Sequence, residues 1–215
     1  MKAFCSWSGG KDSALAFFFA KRQGIDPIFL LNMIEETGKY TRSHRLPKEV
    51  ILRQASEMEV KIIQVPTSWE RYEENFKEAI NQMKGSGIEA GVFGDIDLEE
   101  HRVWVERVCK ELGVVPILPL WKMERPKVIE AFLNEGFKGF MCSTKFDQLA
   151  DFLGKDIDID FVQEMEKRSV DPCGENGEFH TFVYEGPIFK NPLRVMRKGI
   201  VKKDGIYSLT FEVEG

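Results

Sequence analysis

The stretch SWSGGKDSALAFFF, residues 6–19, places two glycines, a lysine and an aspartate between a short apolar run and a longer one. Glycine is unfavourable inside a regular helix or strand, so Gly9 and Gly10 indicate a tight turn. The preceding segment, Lys2–Trp7, reads as a strand, and Asp12–Arg22 reads as a helix. A glycine-rich turn from a strand into a helix predicts an α/β fold, with the turn at the carboxyl end of the strand, where ligands bind.

The sequence up to about residue 145 continues this alternation of strands and helices. Apolar runs typical of buried strands are separated by segments in which apolar residues recur every three or four positions. The predicted strands are Lys2–Trp7, Pro27–Ile34, Lys61–Pro66, Ala90–Ile96, Val114–Trp121 and Gly139–Thr144. Right-handed crossovers would place helices on both faces. We therefore predict a doubly wound, mainly parallel α/β sheet in residues 1–145.

The pattern changes in residues 146–215. A helix at Asp160–Lys167 is followed by the Gly/Pro-rich turn DPCGENGE, residues 171–178, and by short predicted strands. Asp204-Gly205 between the last two strands favours a two-residue hairpin turn. We predict a smaller C-terminal α+β region.

Composition excludes several classes of protein. The 215 residues contain no apolar run near the roughly 18 residues of a membrane span, and the N-terminus lacks the layout of a signal peptide. The four cysteines lie far apart, which disfavours a zinc site or a disulfide scaffold. A net charge of −5 argues against broad nucleic-acid binding. We expect a cytoplasmic protein with neither a membrane nor a nucleic acid as partner, and the oligomeric state stays open, a homodimer included.

The loop Ser8–Ser13 carries the groups that bind a phosphate. Gly9 and Gly10 can present backbone N–H groups, Lys11 supplies a cation, and the serines at both ends supply hydroxyl donors. The alternative is an ordinary strand-to-helix turn in which a side chain such as Asp12 caps the helix.

A second unusual stretch is CGENGEFHTFVYEGPIFK, residues 173–190. Glu178 and His180 are two positions apart, so on a strand they share one face. The residue types alone allow a structural turn, a polar substrate site or a metal site.

These stretches resemble known families. The string Ser8–Ser13 resembles the SGGxDS pyrophosphate loop of the N-type ATP pyrophosphatases, in the PP-loop superfamily. Residues 173–190 resemble the GE-x-GEFHT and GP-[IL]-F hallmark of the diphthine–ammonia ligase family, and HRVWVERVCKELGVVPILPLW, residues 101–121, resembles another segment of that family. The resemblance extends over nearly the whole chain and is to the short form seen in archaea. It implies an adenine nucleotide alpha hydrolase-like fold.

The resemblance also implies a reaction. ATP would bind residues 1–145 with Mg²⁺ and be cleaved to AMP and pyrophosphate, while residues 146–215 would bind the substrate. The diphthine carboxylate on translation elongation factor 2 would form an acyl adenylate, and free ammonium would displace AMP to give diphthamide. The implied catalytic residues are Lys11, Asp12, Glu175 and Glu178. The implied nucleotide-binding residues are Ser8, Gly9, Gly10, Lys11, Asp12, Ser13 and Met33. The implied substrate-binding residues are Asp95, Arg102, Glu175, Asn176, Gly177, Glu178 and His180, and no residue is assigned as a metal ligand.

Several alternatives stay open. A tRNA-modifying enzyme with the same loop and a non-catalytic ATP- or AMP-binding protein both need similar phosphate-binding residues. Arg102 either meets a phosphate or pairs with Glu106 one helical turn later. His44, in the polar segment GKYTRSHR, either touches nucleotide or substrate or is a solvated loop histidine, and we expect the solvated histidine.

Overall fold

The computed structural model describes residues 1–214, and within them the strands form two sheets. The first sheet contains β1 (Lys2–Ser6), β2 (Asp26–Glu35), β3 (Lys61–Thr67), β4 (Ala90–Val92) and β5 (Val115–Ile117). The second contains β6 (Lys138–Thr144), β7 (Phe179–Glu185), β8 (Arg194–Lys203) and β9 (Ile206–Glu214). The α-helices are α1 (Lys11–Arg22), α2 (Lys48–Glu57), α3 (Tyr72–Met83), α4 (Glu99–Leu112), α5 (Arg125–Asn134) and α6 (Ile159–Lys167). Across residues 1–214, the helices are too short or too polar to cross a bilayer.

The first sheet is parallel and doubly wound, as predicted. Its strand order is β3-β2-β1-β4-β5, and every neighbouring pair is parallel. Leu15 of α1 and Ile51 of α2 belong to one buried apolar cluster, whereas Phe76 of α3 and Val108 of α4 belong to another. The central strand β1 is apolar on both faces because each face is covered by one of these helical layers.

The second sheet contains the strand that the sequence placed incorrectly. β6 pairs antiparallel with β7 and β9, in the order β7-β6-β9-β8, so the prediction that Gly139–Thr144 joins the parallel sheet is wrong. This strand is buried on both faces, and the ring of Phe140 packs against those of Phe182 and Phe211. A doubly buried strand reads as one apolar run in either kind of sheet, so its pattern does not reveal its neighbours. The antiparallel sheet confirms the smaller α+β region, while the division near residue 145 stays a prediction.

Two strands of the first sheet end earlier than predicted. β4 ends at Val92 and β5 at Ile117, and directly after β4 the backbone N–H of Phe93 donates to the carbonyl of Ile117. The chain beyond β4 therefore leaves the sheet at the carboxyl ends of the strands. This edge is where a parallel sheet binds its ligands.

Hydrogen bonds join the glycine loop after β1 to strand β7 of the second sheet. The backbone N–H of Val183 donates to the carbonyl of Gly9 at 3.0 Å, and the N–H of Lys11 donates to Oγ1 of Thr181 at 3.0 Å. The side-chain amide of Gln54, on α2, donates to the carbonyls of both Gly9 and Val183, at 3.0 and 2.7 Å. The two sheets therefore meet at the loop.

We expect Gln54→Ala to lower the free energy of unfolding by about 2–4 kcal/mol, because it leaves several buried polar groups without partners. Gln54 is 0% exposed, and its amide oxygen also accepts from the indole N–H of Trp7 at 3.0 Å. Arg53→Ala, in the exposed neighbouring position, is the matched control and should change stability by less than about 0.5 kcal/mol. Urea unfolding measures both variants, and equal losses would contradict this assignment.

Candidate functional site

The two glycines of the loop are required by its geometry. Gly9 has a φ of +85°, a conformation that side chains disfavour. Gly10 lies so close to the imidazole of His44 that an added Cβ would be 2.4 Å from its Cε1 atom. The glycine pair therefore lets the loop turn and also lets His44 approach it.

The serines at the ends of the loop hold it in shape. Oγ of Ser8 lies 3.1 Å from Oγ of Ser13 and accepts a hydrogen bond from the N–H of Gly10. Oγ of Ser13 donates to the carbonyl of Gly10 at 3.0 Å. Both hydroxyls line a cavity, so they also face the space above the loop.

Lys11 and Asp12 form an ion pair at the start of α1, with 2.8 Å between Nζ and Oδ2. Burial opposes the charge on Lys11, but the carboxylates of Asp12 and Glu175 contribute to a net rise in the pKa of Lys11. The other carboxylate oxygen of Asp12, Oδ1, is buried and has no hydrogen-bond partner within residues 1–214. Asp12 thus retains an unused acceptor in the site.

A first cavity, of about 180 Å³, lies between the loop and the end of β2. Of the predicted nucleotide-binding residues, Ser8, Asp12, Ser13 and Met33 line this cavity. Gly9 and Gly10 form the turn beneath it. Tyr72, at the start of α3, closes another side and was not predicted.

A second cavity, of about 550 Å³, lies between the loop and the turn that precedes β7. Its walls bring together most of the predicted substrate residues with two from the loop: Lys11, Asp12, Asp95, Glu175, Asn176, Gly177 and His180. Four residues line both cavities, namely Asp12, His44, Gly94 and Asp95. The two cavities therefore adjoin at these four residues.

The turn of residues 171–178, which we call the C-terminal turn, carries two glutamates. Glu175 is the one that lines the second cavity. Burial, reinforced by the negative charge of Asp12, raises the pKa of Glu175 to about 7, against opposition from Lys11 and Arg125. A carboxyl with this pKa exchanges a proton near neutral pH and is suited to acid–base chemistry.

Glu178 is oriented differently. Its two carboxylate oxygens accept hydrogen bonds from the backbone N–H and the side-chain amide of Asn176, at 3.0 and 2.9 Å. Glu178 is not among the residues that line either cavity, whereas His180 lines the second. The shared face predicted for these two residues does not bring both to the cavity, because Glu178 precedes β7 and bonds to its own turn. A catalytic role for Glu178 stays a prediction.

Arg125 holds the C-terminal turn in place, and no sequence motif had indicated it. Its guanidinium donates to both carboxylate oxygens of Asp97, at 2.7 and 2.9 Å. It also donates to Asp171 at 2.6 Å and to the amide oxygen of Asn176 at 3.1 Å. The start of α5 is thereby tied to the turn that carries Glu175.

Adjacent residues of α4 differ in their orientation. Arg102 pairs with Glu106, at 2.6 Å, and its guanidinium lies over the ring of Trp121, so it is not brought to the cavities. His101 lines the second cavity, and its Nδ1 lies 3.0 Å from Oδ1 of Asp95. Sequence reasoning missed His101. Its position in the first turn of a helix that follows a strand end could have indicated that it lies near the ligand-binding edge of the sheet.

His44 is not the solvated loop residue that we expected. Its ring stacks on that of His180, with 4.5 Å between the centroids, and its Nδ1 lies 3.0 Å from the carbonyl oxygen of Thr181. Burial, with a further effect from His180, lowers the pKa of His44 well below its usual value. The expectation failed because Thr41 and its neighbours bond back to the end of β2 and turn the loop inward.

Comparison with known proteins identifies related families. Residues 1–116 match the model of the diphthamide synthase N-terminal domain, and residues 124–212 match that of the C-terminal domain. The chain is 29% identical over 119 residues to a Bos taurus protein named diphthine–ammonia ligase, an alignment that covers 53% of the chain and 45% of the relative. For the Danio rerio protein of the same name, the identity is 27% over 136 residues, covering 60% and 52%. The chain thus spans about half the length of these curated relatives.

A solved structure from Methanocaldococcus jannaschii, described as a "predicted subunit of tRNA methyltransferase", is 15% identical to the chain. Its superposition has a TM-score of 0.46 and covers 87% of this chain and 98% of the other.

The raised pKa of Glu175 predicts a dependence of stability on pH. Because the folded protein disfavours the carboxylate, stability is lost as the pH rises from the ordinary pKa of 4.5 to about 7. Glu175→Gln should therefore raise the free energy of unfolding by about 1–3 kcal/mol near pH 8 and change it little near pH 4. Urea unfolding at both values measures this effect. Glu178→Gln is the control, and a similar stabilisation in that variant would show that the effect is not specific to Glu175.

Proposed function

The chain belongs to the diphthamide synthase family, and we propose that it amidates diphthine on translation elongation factor 2 with ammonium and ATP. The products are diphthamide, AMP and pyrophosphate. One observation carries this proposal: the first and second cavities share four lining residues. Attack of the carboxylate oxygen on the α-phosphorus requires the two atoms to be within about 3–3.5 Å, and two adjoining cavities can provide that approach.

The first cavity receives ATP. Its phosphates lie against the Ser8–Ser13 loop, where the serine hydroxyls and the N-terminus of α1 attract negative charge. The adenine lies at the end of β2, near Met33. The diphthine carboxylate attacks the α-phosphorus, and the bond to the leaving pyrophosphate breaks. Lys11 neutralises charge that develops in this step.

Asp12 also fits a role in binding Mg²⁺. Residues 1–214 contain no cluster of three or more potential metal ligands, but Mg²⁺ commonly uses one or two carboxylates together with phosphate oxygens and water. The buried Oδ1 of Asp12, which has no partner in the described chain, suits such a contact. When bound, the ion would reduce the negative charge on the phosphates.

The second cavity receives the cationic substrates. Three carboxylates line it, those of Asp12, Asp95 and Glu175, and they attract both ammonium and the trimethylammonium group of diphthine. Glu175 in its charged form holds ammonium beside the acyl adenylate. Ammonium loses one proton, the resulting ammonia attacks the acyl carbon and loses a second proton, and AMP leaves with the electrons of the broken C–O bond.

The direct test is incubation of the protein with diphthine-bearing elongation factor 2, ATP, Mg²⁺ and ammonium. Mass spectrometry should show the carboxyl group of diphthine converted to an amide, with –OH replaced by –NH2, and one AMP should form for each amide. Binding of ATP without formation of AMP or amide would support a nucleotide-binding protein instead. Modification of tRNA in a parallel reaction would support the other alternative.

Lys11→Ala should lower the rate of AMP and pyrophosphate formation by roughly 10²–10³-fold, the range for removing one preorganised charge from a transition state. Pyrophosphate release measured at saturating ATP gives this rate. Lys110→Ala removes an exposed lysine from α4 and serves as the control. Near-normal turnover by Lys11→Ala would rule out the role proposed for this side chain.

Glu175→Gln should raise the KM for ammonium about 10–100-fold, because it removes the charge that holds the cation. The affinity for ATP should change little. Glu178→Gln makes the same chemical change outside the cavities and should have the smaller effect. Steady-state kinetics with varied ammonium compares the two variants. A larger effect of Glu178→Gln would reverse their assigned roles.

A further inference from the structure

We propose that His101 is the base that removes a proton from ammonium, and that Asp95 positions its imidazole. This inference rests on the ligase function proposed above. It assigns a task that the proposed function gives to no residue, because Glu175 was assigned to hold ammonium in its charged form. Ammonium has no free electron pair and cannot attack a carbonyl group until it loses a proton.

The position of His101 fits this task. It lies in the first turn of α4, where the chain from β4 enters the helix beside the second cavity. Nδ1 is 3.0 Å from Oδ1 of Asp95, so Nδ1–H donates to the carboxylate. The other ring nitrogen, Nε2, is then the proton acceptor. This is the arrangement of a base oriented by a carboxylate.

The surroundings of His101 supply both a substrate and an exit for the proton. Glu175 lines the same cavity, and in the proposed function it holds ammonium there. The side chain of His101 is 60% exposed, so a proton taken from the cavity passes directly to water. A base at the rim of the cavity can therefore lose its proton to water after each turnover.

The charged groups around His101 favour its action as a base. Asp95 comes from the segment after β4, Glu175 from the C-terminal turn and Glu100 from α4 itself, while Lys11 and Asp12 lie on the loop side of the cavity. The hydrogen bond to Asp95 has the largest effect and raises the pKa of His101, with burial acting in the opposite direction. A higher pKa makes the neutral imidazole a stronger acceptor for the proton of ammonium.

The proton balance of the step is complete. Nε2 of His101 takes one proton from ammonium, and the nitrogen electron pair forms the bond to the acyl carbon. The C–O bond to AMP breaks, its electrons leave with AMP, and the second nitrogen-bound proton is lost to water. The products are the amide, AMP and two protons, and no oxidant or further reactant is needed.

The test compares two nucleophiles in the His101→Gln variant. Hydroxylamine is uncharged at neutral pH and needs no base to free its electron pair, whereas ammonium does. We expect amide formation from ammonium to fall by roughly 10²–10⁴-fold and hydroxamate formation from hydroxylamine to stay near the wild-type rate. The residual rate with ammonium should rise about tenfold per pH unit, because the variant uses only free ammonia.

Glu99→Gln is the matched control, since it changes an exposed residue in the same helical turn and should leave both rates unchanged. Asp95→Asn tests the positioning role. It removes the carboxylate that raises the pKa of His101, so the acidic limb of the pH–rate profile with ammonium should move to lower pH. An unmoved limb would contradict the role of Asp95.

Exchange of labelled pyrophosphate into ATP, measured with the diphthine substrate and without ammonium, reports adenylation alone. His101→Gln should retain this exchange. Two results from a variant that retains the exchange would overturn the inference about His101 and leave the ligase function standing. One is a normal rate of amide formation from ammonium, and the other is an equal fall in the rates with ammonium and with hydroxylamine. If the wild-type protein shows no exchange, the proposed function fails and the role of His101 fails with it.

Discussion

The carbonyl oxygen of Gly9 accepts hydrogen bonds from two distant parts of the chain, the backbone of Val183 and the side chain of Gln54. The loop after β1 would otherwise be an isolated turn at the edge of a parallel sheet. These bonds, with the one from Lys11 to Thr181, place the loop against β7. The C-terminal turn, which precedes β7, then faces the loop. The second cavity therefore exists only because the two sheets are joined at this point.

The sequence predicted the parts of the site that depend on local geometry. A glycine pair between a strand and a helix has few structural solutions, so the Ser8–Ser13 loop and the parallel sheet were identified correctly. His44 could not be placed in this way. Its hydrogen bond to the carbonyl of Thr181 spans 137 positions, and nothing within the segment around His44 indicates that contact. The strands that pair with β6 could not be predicted either, because an apolar run does not specify which strands it pairs with.

The two glutamates of the C-terminal turn show that residue type alone does not determine which side chain faces a site. Glu175 and Glu178 have the same chemistry and lie three positions apart, yet one faces the cavity and the other bonds to Asn176. The difference comes from Arg125, which binds Asp171 and Asn176 and thereby fixes the path of the turn. Burying Glu175 near Asp12 is unfavourable, and the raised pKa of its carboxyl reflects that cost. The fold tolerates this cost at the place where the proposed cationic substrate would offset it.

The bond between Lys11 and Thr181 spans 170 positions, which has a consequence for the order of folding. A ribosome releases the N-terminal sheet long before it synthesises β7, and domains generally begin to fold from the N-terminus during synthesis. Contacts between distant positions close late, because the entropy of the intervening loop opposes them. The nascent sheet would therefore expose the glycine loop without its support from β7, and the proposed nucleotide site would be complete only after β7 has been synthesised.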